Sequence, residues 1–207
     1  MEKLDLSLLS KDTTKKFKNA LKLVSKDKDT PHTAILGVGF CKDAETNAQY
    51  IIGSNGKIAI TYKVNDMPSE FENKVINKDG VVIADKYPNI SFPDMEELTE
   101  AIAINIDDIT ELYNKFTDVI KEKKYTHKKL IKDKNYITIP LNEDVAIDYF
   151  FFKDFLKMLD LVGVDTILYS KDNPNVCVCF TKDCTITGFA LNQGYCTPYS
   201  NININIE

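Results

Sequence analysis

The chain contains no arginine and no tryptophan; all 26 of its basic residues are lysine. That excludes the bidentate guanidinium contacts that read guanine edges and the arginine fingers of phosphoryl transfer. Lysine acts instead as a point charge, suited to phosphate contacts that ignore base sequence. Histidine occurs twice, at His32 and His127, in polar stretches. No Ser/His/Asp or Cys/His series has informative spacing and the acidic residues are scattered, so nothing supports catalysis. Long apolar runs are missing as well: no stretch approaches the roughly 20 residues of a membrane helix, and Met1-Glu2-Lys3 lacks a signal-peptide core. These absences predict a cytoplasmic protein with no membrane partner. Cys41, Cys177, Cys179, Cys184 and Cys196 are odd in number and sit mostly in strand-like text. They read as reduced core thiols. Cys177 and Cys179 share a strand face and could join Cys184 and Cys196 around zinc, but there is no C-x-x-C pair and no histidine nearby. The expectation is no metal and no cofactor. Gly53-Ser-Asn-Gly56-Lys57 is too short for a phosphate loop and precedes no helix.

What the chain does have is an uneven charge distribution. Residues 11–28 hold seven lysines against Asp12 and Asp27, a local charge of +5, whereas the chain as a whole is −5, leaving −10 for the remainder. Thr13 to Lys26 reads as an amphipathic helix. Phe17, Ala20, Leu21 and Val24 form the expected buried stripe, and Lys15, Lys18, Lys22 and Lys26 recur on the opposite face. An acidic protein that gathers lysines on one helical face points to a polyanion there. A solvated helix face is the alternative.

The order of elements is repeated. Leu4–Leu9 reads as a short strand, followed by the first helix with Ser10 or Thr13 as its cap. A strand over Thr33–Phe40 follows, then a hairpin, Gln49–Gly53 and Lys57–Val64, around Asn55-Gly56, with a type I′ turn expected. The last third runs Asp144–Asp148 as strand and Tyr149–Val162 as helix, then strands Thr166–Ser170, Asn175–Thr181 and Thr185–Asn192. In that second helix Phe152, Phe155, Leu156 and Leu159 face inward, and Lys153 and Lys157 lie opposite. Each stretch is a β-α-β-β-β unit, an internal repeat of architecture rather than of letters, and its two helices are expected to pack side by side on one sheet face.

Residues 67–142 stand between the units as an insertion or a degenerate second domain. They contain a hairpin at Asp79-Gly80, turns at Tyr87–Asn89 and Phe92-Pro93, and a helix over Ile106–Lys121 burying Ile109, Leu112, Phe116 and Val119 or Ile120. Residues 121–134 carry seven lysines against Glu122 and Asp133 and read as a solvated loop or helix end. The tail, Asn201 to Glu207, alternates Asn and Ile and reads either as an edge strand, pairing with another subunit, or as frayed chain.

These residues resemble a known family. Paired β-α-β-β-β units with basic outer helix faces build the DNA sliding clamps, the polymerase processivity factors. Leu9-Ser-Lys-Asp-Thr-Thr14 leading into Phe17-Lys-Asn-Ala20 is similar to the opening of tailed-phage clamps. Asp144-Val-Ala-Ile147 with Phe152, Phe155-Leu156, Met158-Leu159 and Leu161-Val162 is similar to the second helix of a clamp domain. Pro31 to Ile60, with Leu36-Gly-Val38 and the Asn-Gly-Lys hairpin, resembles bacterial clamp domains, in which Asp-Gly usually replaces Asn55-Gly56. The resemblance covers residues 1–66 and 143–195. It departs from the family in having one domain's worth of half-units, where clamp chains hold two or three domains, and in offering lysine alone.

The resemblance implies an α+β fold of two β-α-β-β-β units, with helices on one face of antiparallel sheets and an inserted segment. It implies a non-enzymatic processivity factor that self-associates around duplex DNA and tethers a DNA polymerase or another replication protein, in the cytoplasm of a bacterial host cell if phage-encoded. The DNA-binding residues would be Lys15, Lys18, Lys22, Lys26, Lys153 and Lys157, all facing one side. The alternative is a clamp-fold protein-interaction subunit that does not encircle DNA.

Overall fold

The structure, a computed structural model, describes residues 2–26, 29–30, 32–86, 100–132, 137–142, 145–170, 176–181, 183–189 and 191–192. Its class is α+β with antiparallel sheets, as expected. The chain forms two compact units, Met1–Phe92 with Phe180–Thr187, and Pro93–Cys179 with Gly188–Glu207.

In the first unit α1 (Lys11–Leu21) packs on a sheet made of β1 (Val38–Lys42), β2 (Gln49–Ser54), β3 (Ile58–Val64), β4 (Lys74–Ile76) and β5 (Val82–Ala84), with β11 (Cys184–Phe189) beside β3. The order is β5-β4-β1-β2-β3-β11. Register puts Phe40 opposite Ile51 and Ile51 opposite Tyr62, so alternate residues make one apolar face. Phe17 of α1 meets Phe40 at 5.7 Å between ring centroids, and Phe40 meets Phe71 at 5.1 Å. The edge at β5 is occupied by the start of the chain: Lys3 bridges Val81, Val82 N–H donates to Glu2 O at 3.0 Å, and Lys74 Nζ holds both Glu2 and Asp85 at 3.1 Å.

The second unit contains β6 (Glu100–Ala103), β9 (Thr166–Tyr169) and β10 (Val176–Thr181), paired antiparallel with β9 in the centre. A second sheet orders β7 (Thr138–Pro140), β8 (Val145–Asp148) and β12 (Leu191–Asn192) as β12-β8-β7. Between β6 and β7 come α2 (Ile106–Glu122) and the short α3 (His127–Lys132), and β8 runs directly into α4 (Tyr149–Val162). Asp148 caps α4 by accepting from Phe150 N–H at 2.8 Å, and Gly163 ends it at φ +70, the left-handed stop that glycine takes without strain. Helix α4 packs beside α2, with Tyr113 stacked on Tyr149 at 5.2 Å and Thr117 Oγ1 2.8 Å from the Tyr149 hydroxyl. Phe152, Phe155 and Leu159 are fully buried.

Several expectations are corrected. Leu4–Leu9 is not a strand: the Asp5 carboxylate accepts from Ser7 N–H at 2.9 Å and turns Leu6–Leu8 into a 3-10 turn. Thr33–Leu36 is likewise a 3-10 turn, and the strand begins at Val38. The Asn55-Gly56 turn is not type I′, because only Gly56 takes positive φ (+85); Asn55 spends its side-chain oxygen on Lys57 N–H and Ile58 N–H at 3.0 and 2.9 Å. The turns at Tyr87–Asn89 and Phe92-Pro93, Cys196, and the tail with Ile202, Ile204 and Ile206 lie outside the described residues.

Candidate nucleic-acid interface

Helix α1 starts two residues earlier than its periodicity suggests and ends five earlier, and both shifts redraw the lysine face. Ser10 is the N-cap, its Oγ accepting from Thr13 N–H at 3.1 Å. At the other end the hydrogen bonds tighten to i→i−3, Lys22 N–H to Asn19 O at 3.1 Å and Leu23 N–H to Ala20 O at 3.0 Å. That turn rotates Leu23 inward to 1% exposure. The buried set is therefore Thr13, Phe17, Ala20 and Leu23, while Leu21 and Val24 are only half-buried.

On the other side Lys11, Lys15, Lys18 and Lys22 line one shallow groove, with Thr14 and Asn19 between them. All four lysines are exposed. Lys22 Nζ reaches Asn19 Oδ1 at 3.2 Å. Among the described residues none of these four ammonium groups forms a salt bridge. Lys16 is different: half-buried, it pairs with Asp12 at 2.8 Å and donates to Lys63 O at 3.0 Å, so it secures the helix to β3. Lys26 is exposed but lies beyond the helix, where Ser25 N–H has turned to Ile35 O at 2.8 Å. Lys11, which the expected stripe omits, belongs to the face; the readable signal was Ser10 as cap, which starts the helix at Lys11.

The face is held rigidly from below. The Thr13 hydroxyl, fully buried, donates to the Asp66 carboxylate just past β3. Hydrogen bonds from Ser10 and then Thr13 hold the Asp66 carboxyl below its ordinary value. Asp66→Ala leaves the Thr13 hydroxyl without its partner and should lower stability by about 1–2 kcal/mol, read as a shift of the urea midpoint at neutral pH. Because the folded value is depressed, this contribution is present above the ordinary aspartate value near pH 4 and is lost as pH falls through the folded one. Parent and variant should therefore converge in acid; a difference unchanged between pH 7 and pH 3 would show that the carboxylate does not act this way.

Lys153 and Lys157 are exposed on α4, one turn apart, as the spacing requires. Their surroundings differ from those on α1. Lys157 pairs with Asp154 at 3.4 Å, and Asp160 is exposed one turn further. Neighbouring α2 exposes Asp107, Asp108, Glu111 and Asp118, and its Lys115 is paired with Glu111 at 3.1 Å. The positive potential of the sequence-predicted lysines thus concentrates on α1 and is partly self-neutralised on α4.

The described residues contain no group of three or more His, Cys, Asp or Glu able to hold a metal, and no helix long and apolar enough to cross a membrane. Cys179 and Cys184 are buried, and burial pushes the Cys184 thiol up to about 12. An apolar wall favours the neutral thiol, so Cys184 serves packing rather than nucleophilic chemistry.

Among proteins of known structure the chain is similar to bacterial polymerase clamps. It matches the DNA polymerase III beta subunit of Thermotoga maritima over 84% of this chain and 61% of that one, with a TM-score of 0.56 and 13% sequence identity. For the sliding clamp of Bartonella birtlesii bound to griselimycin the shares are 92% and 68%, with a TM-score of 0.55 and 9% identity. For the Helicobacter pylori beta clamp bound to a DNA ligase peptide they are 85% and 62%, with 0.51 and 10%. The chain has the beta-clamp fold, and it spans only about three fifths of the Thermotoga and Helicobacter chains. No protein-family model and no curated protein sequence matches it.

Proposed function

We propose that the chain is a sliding-clamp-like, non-enzymatic processivity factor. It self-associates around duplex DNA, holds the duplex through sequence-independent lysine–phosphate contacts, and tethers a DNA polymerase or a related replication protein in the cytoplasm of a bacterial or phage-infected cell. The observation that carries this reading is the row of lysines on α1 without salt-bridge partners, on a helix seated on a clamp-fold sheet. Lysines that keep their charge uncompensated can exchange counterions with phosphate, and contacts of that kind bind weakly and slide. The acidic remainder of the chain discourages adhesion of other surfaces to DNA. Residence on DNA then depends on topology, and one chain of this length does not encircle a duplex, so the reading requires a closed homo-oligomer. The ligase peptide on the Helicobacter clamp supports a peptide-bearing replication protein as the second partner.

One observation favours the alternative of a clamp-fold interaction subunit without encirclement: the exposed faces of α4 and α2 mix their charges, where a DNA-lined hole would favour uniform sign. Light scattering on a sizing column, together with retention on nicked circular plasmid, separates the two. The proposal expects a defined oligomer at micromolar concentration that is retained on the circle and lost when the circle is linearised. A monomer across the concentration range, or equal retention on circular and linear DNA, would overturn it.

A further inference from the structure

The first lysine row does not exhaust the positive charge. Lys121, Lys123, Lys124, Lys128, Lys129 and Lys132 are all exposed, at the end of α2 and along α3, against Glu122 as the exposed acid among the described residues of this stretch. Among the described residues none of the six forms a salt bridge. Part of the cluster has a local explanation. Lys121, Lys123 and Lys124 sit at the C-terminal end of α2, where cations complement the helix dipole, as Asp107 and Asp108 do at its start. Lys129 and Lys132 fall in the last turn of α3, where they complement a dipole only six residues long, whereas Lys128, in its first turn, stands against that dipole.

These three are presented on a firm mount. Helix α3 is pinned by Leu130, 2% exposed, and by the His127 ring, 5.0 and 5.4 Å from the rings of Phe150 and Phe151 on α4. The turn before it is fixed by Tyr125 N–H on Ile120 O at 3.1 Å and by Lys124 in the left-handed region at φ +52. Anchoring like charges close together on ordered backbone costs repulsion that a mobile loop would relax. Such a cost is recovered when a polyanion neutralises the patch. Among the residues whose exposure is described, no apolar anchor accompanies it: Leu8, the exposed large hydrophobic residue of that set, belongs to the other unit. A protein partner would be expected to use such an anchor, whereas a phosphate backbone needs none.

We infer that Lys128, Lys129 and Lys132, with the lysines ending α2, form a second nucleic-acid contact surface, which binds the phosphate backbone of duplex DNA without sequence preference. The choice of DNA as the polyanion rests on the function proposed above; the site itself is separate from α1. The positive charge that the mixed faces of α4 and α2 do not supply in the second unit is supplied here.

The test is a charge reversal in the full chain, K128E/K129E/K132E, with K128Q/K129Q/K132Q as the neutral counterpart. Binding to a short linear duplex of random sequence is followed by fluorescence anisotropy across about 50–200 mM salt. Linear DNA removes topology, so only contacts are read. The expected result is at least a tenfold weaker affinity at the low-salt end for the reversal and a smaller loss for the neutral set. The log–log salt slope should be shallower by about 0.9 for each phosphate released. Unchanged melting temperature confirms that exposed side chains alone were altered. If both triple variants bind as the parent does while K18E/K22E binds less, this inference falls and the proposed function stands. If neither triple nor double variant changes affinity or slope, the lysine–phosphate reading falls with it. Parental DNA binding accompanied by lost binding to anionic lipid vesicles would also overturn the inference, in favour of a membrane surface.

Discussion

Replacing Gly53 by alanine should unseat α1 and lower the stability of the first unit by about 2–3 kcal/mol, the upper part of the range for overpacking, as a contact with rigid backbone requires. The reason is the distance between backbones. A Cβ at position 53 would come 2.5 Å from the carbonyl oxygen of Ala20 and 3.0 Å from its Cβ. Ala20 is itself fully buried, so helix and strand touch main chain to main chain, and neither neighbour is a flexible side chain that can swing away. The helix must lift from β2 or the strand must bend. Either movement loosens Phe17 from Phe40. At roughly 2–4 °C per kcal/mol for a chain of this size, the melting temperature should fall by about 5–10 °C. Gly56→Ala is the control. It places a side chain at φ +85 but meets only Ile35 Cδ1 at 3.5 Å, so its cost is conformational, about 1 kcal/mol. If Gly53→Ala melts no lower than Gly56→Ala, α1 is not seated on the sheet as closely as described. The DNA-facing row depends on that seat, because the same helix that buries Phe17 and Ala20 presents Lys15 and Lys18 outward.

The parts of this fold that were legible in the sequence are those where local signals agree with one another. Tyr149–Val162 has an Asp cap, a continuous apolar stripe and a glycine stop, and every one of these is used in the structure. The Gln49–Val64 hairpin has alternation on both arms and a turn dipeptide between them, and its strands were found although its turn type was not. Helix α1 was harder to bound because its end carries no glycine or proline. The stop comes from Leu23 being drawn into the core and from Ser25 pairing with Ile35, ten residues away along the chain. Contacts at that separation leave no mark in a helical period. The 3-10 turns at Leu6–Leu8 and Thr33–Leu36 were read as strand because their apolar residues alternate; one Asp5 hydrogen bond and the close passage of Gly37 over Ile76 O decide otherwise. For the candidate site, residue type and spacing were enough to find Lys15, Lys18, Lys153 and Lys157 on exposed helix faces. The spacing could not tell which of them keep their charge: Lys157 is half cancelled by Asp154, whereas Lys15 and Lys18 are not. Nor could it separate the cluster after Glu122 from a floppy loop, since the anchors that hold it, His127 and Leu130, are single residues whose partners lie on another helix or in the core.

The double reversal Lys18→Glu with Lys22→Glu should abolish retention on circular DNA while leaving the fold unchanged. Both side chains project from the exposed face of α1, and neither enters a salt bridge among the described residues, so reversing them breaks no structural pair. Lys22 gives up a hydrogen bond to Asn19 at 3.2 Å, an exposed interaction whose loss falls within the small range of surface changes. Lys16 and Asp12, which do hold the helix, are untouched. If each lysine contacts one phosphate at about 1.4 kcal/mol, the low end for a charge-assisted bond, two lost contacts weaken binding roughly a hundredfold. The introduced carboxylates add repulsion from the phosphates to that loss. The salt-dependence slope should fall by about two units, one for each contact. Reversal of Lys153 and Lys157 should do less, because the Asp154 carboxylate already partly offsets one of the two charges. This ordering, with α1 dominant and α4 secondary, follows from the ion pairing and would not follow from counting lysines. A solvated helix face predicts a different result: parent and double variant retained alike at every salt concentration, with the α4 pair equally silent. That result would remove DNA from the proposed function even though the clamp-like fold remained, and the chain would then be read as an interaction subunit built on the same sheet.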